Sequence, residues 1–181
     1  MVEGLQRVVV TGLGAVTPIG NSVADYWDAL TSGRNGVAGI TLFDASEHAC
    51  RFAAEVKAFD PSGFIEPKDA KRWDRFSKFG VVATKQALAD AGLEITPDNA
   101  DRIGIIIGSG VGGLLTMETQ AHVLEGKGPG RVSPFTVPMM IPNMATGLAA
   151  IAVGAKGPSS AVGTACAAGY NDIGDAFRLL L

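Results

Sequence analysis

The sequence predicts an α/β protein built on a mostly parallel sheet. Short runs at Arg7–Gly12, Arg102–Ile107 and Ser159–Val162 read as strands, the first two buried. Segments with apolar residues at three- and four-residue spacing alternate with them. Buried strands that alternate with helices belong to sheets covered on both faces by crossover helices. Composition agrees, because 47% apolar and 18% charged residues in a chain of 181 suffice for a buried core.

Taken in order, Arg7-Val-Val-Val-Thr-Gly is continuous, β-branched and closed by glycine, and Gly12–Gly20 follows as a loop. Asn21 or Ser22 caps a helix over Val23–Thr31, with Tyr26, Trp27 and Leu30 on one side. Gly33–Ser62 is irregular, with one short strand near Phe52–Val56. Lys68–Ala91 is expected to be one helix, striped by Phe76, Phe79, Ala83 and Ala87 and ended by Gly92. Helices are also expected at Leu114–Leu124, Asn143–Val153 and Ala165–Leu181. The last ends in F-R-L-L-L with no glycine cap or polar tail, so the chain is expected to be a fragment or to dock these leucines on something further.

The net charge of −3 implies no general affinity for nucleic acid or anionic membrane. Val132–Ala155 has no charged residue, but Pro134, Pro138 and Pro142 interrupt it. It is read as protein interior, since a membrane-spanning helix needs about 20 residues. The first ten residues lack the basic and apolar regions of a secretory signal, and the two cysteines, Cys50 and Cys166, suggest no disulfide framework. A reducing cytoplasm is therefore the expected compartment.

Several patterns carry possible chemistry. Gly108-Ser-Gly110-Val-Gly-Gly113 fits G-x-G-x-x-G between a strand and a helix, the setting of a dinucleotide site. The acidic partner expected about 20 residues on is missing. A glycine turn closely approached by a ligand or by neighbouring backbone is the plainer reading. His48 and His122 have no metal-ligand spacing around them and are read as surface or edge residues, and no metal or other cofactor is called for. Lys68, Lys71, Arg72 and Arg75 would share one face of a helix start, either as a solvated face or as a basic patch for an acidic partner.

Cys166 is the strongest candidate. A lone cysteine is ordinarily a small buried hydrophobe. This one lies where the Ser159–Val162 strand meets the final helix, and a sharp turn there would display its side chain as nucleophile elbows do. A helix N-terminus would favour a thiolate and supply N–H groups to an oxyanion. Ala165, Ala167, Ala168 and Gly169 leave room around the sulfur. Neither histidine is obviously placed as the base such a nucleophile normally uses.

R-V-V-V-T-G-L-G-A-V-T-P-I-G near the start, S-P-F-T-V-P-M-M-I-P-N-M-A-T-G in the middle and T-A-C-A-A-G near the end closely resemble the β-ketoacyl-acyl-carrier-protein synthases, condensing enzyme II class. The resemblance runs through the whole chain. It implies a thiolase-like α-β-α-β-α layered fold of two similar halves, of which residues 1–181 are the first, cut within the helix after the nucleophile. It implies acyl transfer from acyl carrier protein to Cys166, then decarboxylation of malonyl-carrier protein and a Claisen condensation in fatty-acid synthesis. By the same resemblance, the Cys166 N–H is one oxyanion donor, Val111 lies at the base of the acyl pocket, and Phe135 reaches across a homodimer. Lys68, Lys71 and Arg72 would meet the carrier protein. The family's two catalytic histidines, its lysine and a second oxyanion N–H would lie in the second half, so this half alone is expected not to condense.

Two residues depart from the family pattern. Tyr170 is bulky, and Asp172 is charged, on a helix the family buries; an unpaired buried carboxylate is costly. The alternatives are a thiolase, a decarboxylating relative, a polyketide-type ketosynthase or a non-catalytic partner subunit, a class that typically lacks the cysteine. A nicotinamide-dependent oxidoreductase is the remote one.

Overall fold

The computed structural model describes residues 6–181. The first five residues, part of the stretch read for a secretory signal, lie outside them. The elements in chain order are α1 Val23–Thr31, β1 Val37–Gly39, β2 Phe52–Ala54, α2 Pro67–Ala70, α3 Arg75–Asp90, β3 Ile105–Ile106, α4 Leu114–Lys127, α5 Thr136–Met140, α6 Met144–Val153, β4 Ser159–Ser160 and α7 Ala168–Leu180.

The centre of the fold is α6. Its Met-Ala-Thr-Gly-Leu-Ala-Ala sequence buries Ala145, Thr146, Ala149 and Ala150 along one stripe. Small residues let neighbours come close: α3, β3 and β4 all pack against α6. Val81 and Val82 of α3, Ile105 of β3, Ile65, Ala149 and Ala150 form the buried core, with Phe59, Phe64, Trp73 and Ile107 packed against it. The Thr146 hydroxyl joins the layers. It accepts from the Ile107 N–H at 3.2 Å and lies 3.0 Å from the carbonyls of Ile107 and Ser160, so α6 is tied to the ends of both strands.

β3 and β4 pair in parallel, Ile105 opposite Ser159 and Ile106 opposite Ser160. β1 and β2 form a separate antiparallel pair, Val37 opposite Ala54. The mostly parallel sheet is thus, among the described residues, one short parallel ladder and one short antiparallel ladder. β4 is exposed along both its residues, and Ala100–Arg102 is a tight 3-10 turn rather than the start of the second strand.

The expected strand at Arg7–Gly12 is not formed among the described residues, and Val9 and Val10 are 59% and 81% exposed. β-Branched composition suits a pleated surface but supplies no ladder partner. The loop after it is held by side chains of α3: Asp90 accepts from the Leu13 N–H and Gln86 from the Ala15 N–H.

The single helix expected over Lys68–Ala91 is also broken. Asp74 is extended (φ −67°, ψ 160°) and caps α3 by accepting from the Phe76 N–H, so Lys71–Asp74 form a turn between α2 and α3. A carboxylate just ahead of an apolar helical stretch is a start signal, and here it overrides the periodicity running through it. The other boundaries follow expectation: Ser22 caps α1, Gly92 stands in the left-handed region after α3, and Gly154 does so after α6. α5 was not expected because of Pro138. As the third residue of a five-residue helix, that proline lacks only an N–H that would have no intrahelical partner.

α7 departs most from the expected burial. Only Ala168 and Asp172 are buried on it, while Tyr170 and Ile173 are 82% and 72% exposed. No helix among the described residues is long and apolar enough to cross a membrane.

Candidate active site

Cys166 lies in a 3-10 turn, Ala165–Ala167, immediately before α7 and six residues after β4, at the strand-to-helix junction its sequence position predicted. Its side chain is exposed. The residue before it, Ala165, has φ +50°, a left-handed conformation that costs an L residue roughly 1–2 kcal/mol. Such geometry persists only where surrounding structure enforces it. Here it turns the chain sharply enough to project the thiol, as an elbow does.

The glycine turn between β3 and α4 packs against this segment. A Cβ at Gly108 would stand 2.6 Å from Asp172 Oδ2, 2.7 Å from the Val162 carbonyl and 2.8 Å from Ala168 Cβ. A Cβ at Gly110 would lie 3.8 Å from Ala165 Cα. Gly112 has φ +83°, and its Cβ would meet the Met140 carbonyl of α5 at 2.4 Å. The motif therefore packs against the elbow, α7 and α5, which is the close backbone approach the sequence suggested as the plainer reading. The dinucleotide reading fails on geometry as well. The N-terminus of α4, where a pyrophosphate would bind, is occupied by the protein's own carboxylate: Asp74 accepts from the Thr116 N–H at 3.0 Å and from the Thr116 hydroxyl.

The other expected site residues separate into two groups. Val111 sits in the glycine turn, 64% exposed, next to the Gly110–Ala165 contact, so the turn and the cysteine elbow adjoin. Phe135 precedes α5, 42% exposed, and the Arg72 guanidinium lies 5.0 Å from its ring centroid. The basic residues do not share one helix face. Lys68 is on α2, Lys71 ends it, Arg72 is in the turn, and Arg75 begins α3 with its guanidinium donating to the Val56 carbonyl. Lys68, Lys71 and Arg72 remain exposed over this short segment. A cavity of about 600 Å³ opens beside it, lined by Lys71, Trp73, Arg75, Lys78, Thr119 and Met139 but not by Cys166.

His48 is exposed with its ring 5.4 Å from Phe43, and His122 is exposed on α4 with Nδ1 4.0 Å from Glu125, both in the surface roles expected. Asp172 does find a partner, since Oδ2 accepts from the Gly108 N–H. Sequence reasoning flagged Asp172 only as an anomaly. Its four-residue offset from Ala168 signalled that both would face the same side of the helix.

An exposed cysteine at a strand-to-helix junction, backed by a glycine turn, is the arrangement this α/β fold presents. The family model "Beta-ketoacyl synthase, N-terminal domain" matches residues 5–181, and the chain belongs to that family. It is 60% identical over 175 residues to a 3-oxoacyl-[acyl-carrier-protein] synthase 2 of Synechocystis, covering 97% of this chain and 42% of that protein. The protein of the same name from Staphylococcus aureus strain COL is 49% identical over the same shares. The chain thus spans less than half the length of these relatives. A solved beta-ketoacyl synthase from Burkholderia phymatum matches with TM-score 0.76 and 28% identity over 97% of this chain and 44% of that one. A type II polyketide ketosynthase, solved in complex with its acyl carrier protein, matches with TM-score 0.79 and 25% identity over 94% and 45%. These likenesses place the mixed α/β fold among the thiolase-like ketosynthases.

Proposed function

We propose that this chain is the N-terminal part of a 3-oxoacyl-acyl-carrier-protein synthase that elongates fatty acids. The observation that carries the proposal is the exposed Cys166 just after the left-handed Ala165, in a chain 60% identical to a synthase of that name. In the first step the Cys166 sulfur attacks the thioester carbonyl of an acyl-carrier protein. The Cys166 backbone N–H donates to the oxyanion of the tetrahedral intermediate, and the carrier thiol leaves with a proton. In the second step malonyl-carrier protein loses carbon dioxide, its α-carbon attacks the acyl-enzyme carbonyl, and the Cys166 thiolate departs. The decarboxylating groups belong to the part of the protein beyond these 181 residues.

Supporting roles follow the same reading. Lys68, Lys71 and Arg72 dock the acidic carrier protein, Val111 closes the base of the acyl pocket, and Phe135 lies at the contact between two copies in a cytoplasmic homodimer. The polyketide ketosynthase likeness favours a second reading, in which the growing chain keeps its keto groups. The fatty-acid name of the more similar relatives favours the first.

The test is acyl loading. Incubated with an acyl-carrier-protein thioester, the full-length protein should gain the acyl mass on Cys166, and iodoacetamide should block the gain. Cys166→Ala should abolish it. Undiminished acyl-enzyme in that variant would defeat the assignment.

A further inference from the structure

Asp172 is a carboxylate on the helix that follows the nucleophile, only 9% exposed, and nothing in the proposed chemistry uses it. It lies six residues after Cys166, under two turns of helix. Its Oδ2 accepts from the Gly108 N–H, while Oδ1 is buried without a hydrogen-bond partner among the described residues. The Gly108 contact is thus the bond that holds the carboxylate. Its neighbourhood allows little slack, since a side chain at position 108 would collide with Asp172, Val162 and Ala168 together.

This bond joins the two parts of the site. On one side is α7, whose only buried residues are Ala168 and Asp172 and whose start carries Cys166. On the other is the 108–113 turn, which carries Val111 and touches Ala165 through Gly110. Ala165 holds its left-handed φ at the point where the two meet. Of the α7 residues, Ala168 and Asp172 are the ones buried against the described part of the chain, and Asp172 is the one with a side-chain hydrogen bond to the glycine turn.

We propose that Asp172 is a positioning residue for acyl transfer. By accepting from the Gly108 N–H it locks the start of α7 against the glycine turn, and so sets the Cys166 sulfur relative to the site of the acyl chain. It acts through Gly108 and does not touch the reacting atoms. The inference rests on Cys166 being the acyl acceptor.

The experiment compares Asp172→Ala and Asp172→Asn with the wild type in the full-length protein. Acyl transfer from an acyl-carrier-protein thioester is timed by mass spectrometry, and iodoacetamide alkylation of Cys166 is read against Cys50 in the same samples. Alkylation needs only an accessible thiol, whereas acyl transfer needs an oriented one. Asp172→Ala is expected to slow acyl transfer about ten- to a hundredfold, with the Cys166-to-Cys50 alkylation ratio held within about twofold. Asp172→Asn retains an acceptor oxygen and should recover most of the rate. Wild-type transfer rates in Asp172→Ala would overturn the proposal. So would an Asn variant as slow as the Ala variant, or a parallel loss of transfer, alkylation selectivity and melting temperature in both, which marks a purely structural role. A wild type that is alkylated at Cys166 yet takes no acyl group overturns the nucleophile reading itself.

Discussion

Asp74 caps its own helix and a second one through Thr116. Its Oδ1 accepts from the Phe76 N–H at the start of α3, and its Oδ2 accepts from the N–H of Thr116, the third residue of α4. Gly113, which precedes α4, has no side chain with which to cap it. One buried carboxylate therefore sits at two positive helix ends, a placement favoured by both dipoles.

Removing that carboxylate should be costly. Asp74→Ala loses a cap and strands the Thr116 N–H in a buried site, and is expected to lower stability by about 2–4 kcal/mol. Asp74→Asn keeps an acceptor oxygen at one of the two positions but turns an amide NH2 toward a donor N–H at the other, so it should recover at most about half of that loss. Urea denaturation of the three proteins checks this, read as midpoint shifts at constant slope. Equal losses in the two variants would show that one retained acceptor is not enough and that both oxygens are needed.

The glycine turn and α6 should respond oppositely to the same substitution. Gly112→Ala forces a Cβ to within 2.4 Å of the Met140 carbonyl at φ +83°, so soluble, folded protein should fall sharply. Gly147 lies inside α6 with nothing within 4 Å of its would-be Cβ, so Gly147→Ala should stabilise by about 0.5–1 kcal/mol. Thermal melts of both variants, with circular dichroism for folded content, give the comparison.

A carboxylate away from the site should control part of the acid stability. Glu55 accepts from the Thr41 hydroxyl at 2.6 Å, from the Thr41 N–H at 3.0 Å and from the Leu42 N–H at 3.2 Å. These bonds, the hydroxyl's foremost, hold its carboxyl below the ordinary value of 4.5. The unfolded chain then takes up the proton first as the solution is acidified. Stability from Glu55 is complete above the ordinary value and is lost as pH falls toward the lower folded one. Glu55→Gln should therefore flatten the acid limb of the stability profile between about pH 5 and 3. Asp44 and Asp60, lowered by the N–H groups of Ser46 and Ser62, should leave a residual slope at lower pH.

The exposed basic segment should show its role in binding. Reversing Lys68, Lys71 and Arg72 together to Glu is expected to weaken carrier-protein binding about tenfold or more at low salt, mostly through slower association. The difference should shrink toward 0.5 M salt as screening shortens the field. Arg72→Ala alone also frees the Phe135 ring from its 5.0 Å cation–π contact. Unchanged affinity at every salt concentration in the triple variant would sink the docking assignment.

Much of this was readable along the chain because it is local. Ser22 ahead of α1, Gly92 after α3 and the strand-to-helix position of Cys166 are features of a few neighbouring residues. The helical stripe through Phe76, Phe79, Ala83 and Ala87 is local in the same sense, and α3 forms there. The basic face failed because spacing assumes that a helix continues, and Asp74 stops it. Arg7–Gly12 failed because a strand requires a partner that its own residues do not specify.

By itself, then, the sequence determined the α/β alternation, the elbow at Cys166 and membership of the ketosynthase family through its motifs. Tertiary structure alone decided why the glycines stand at 108, 110 and 112, which carboxylate caps α4, and that Asp172 is paired with Gly108. The physical reason is range. Periodicity and capping preferences act within a turn or two of chain, whereas these contacts close loops of 42 residues between Asp74 and Thr116 and 64 between Gly108 and Asp172, which only the packed core around α6 brings together.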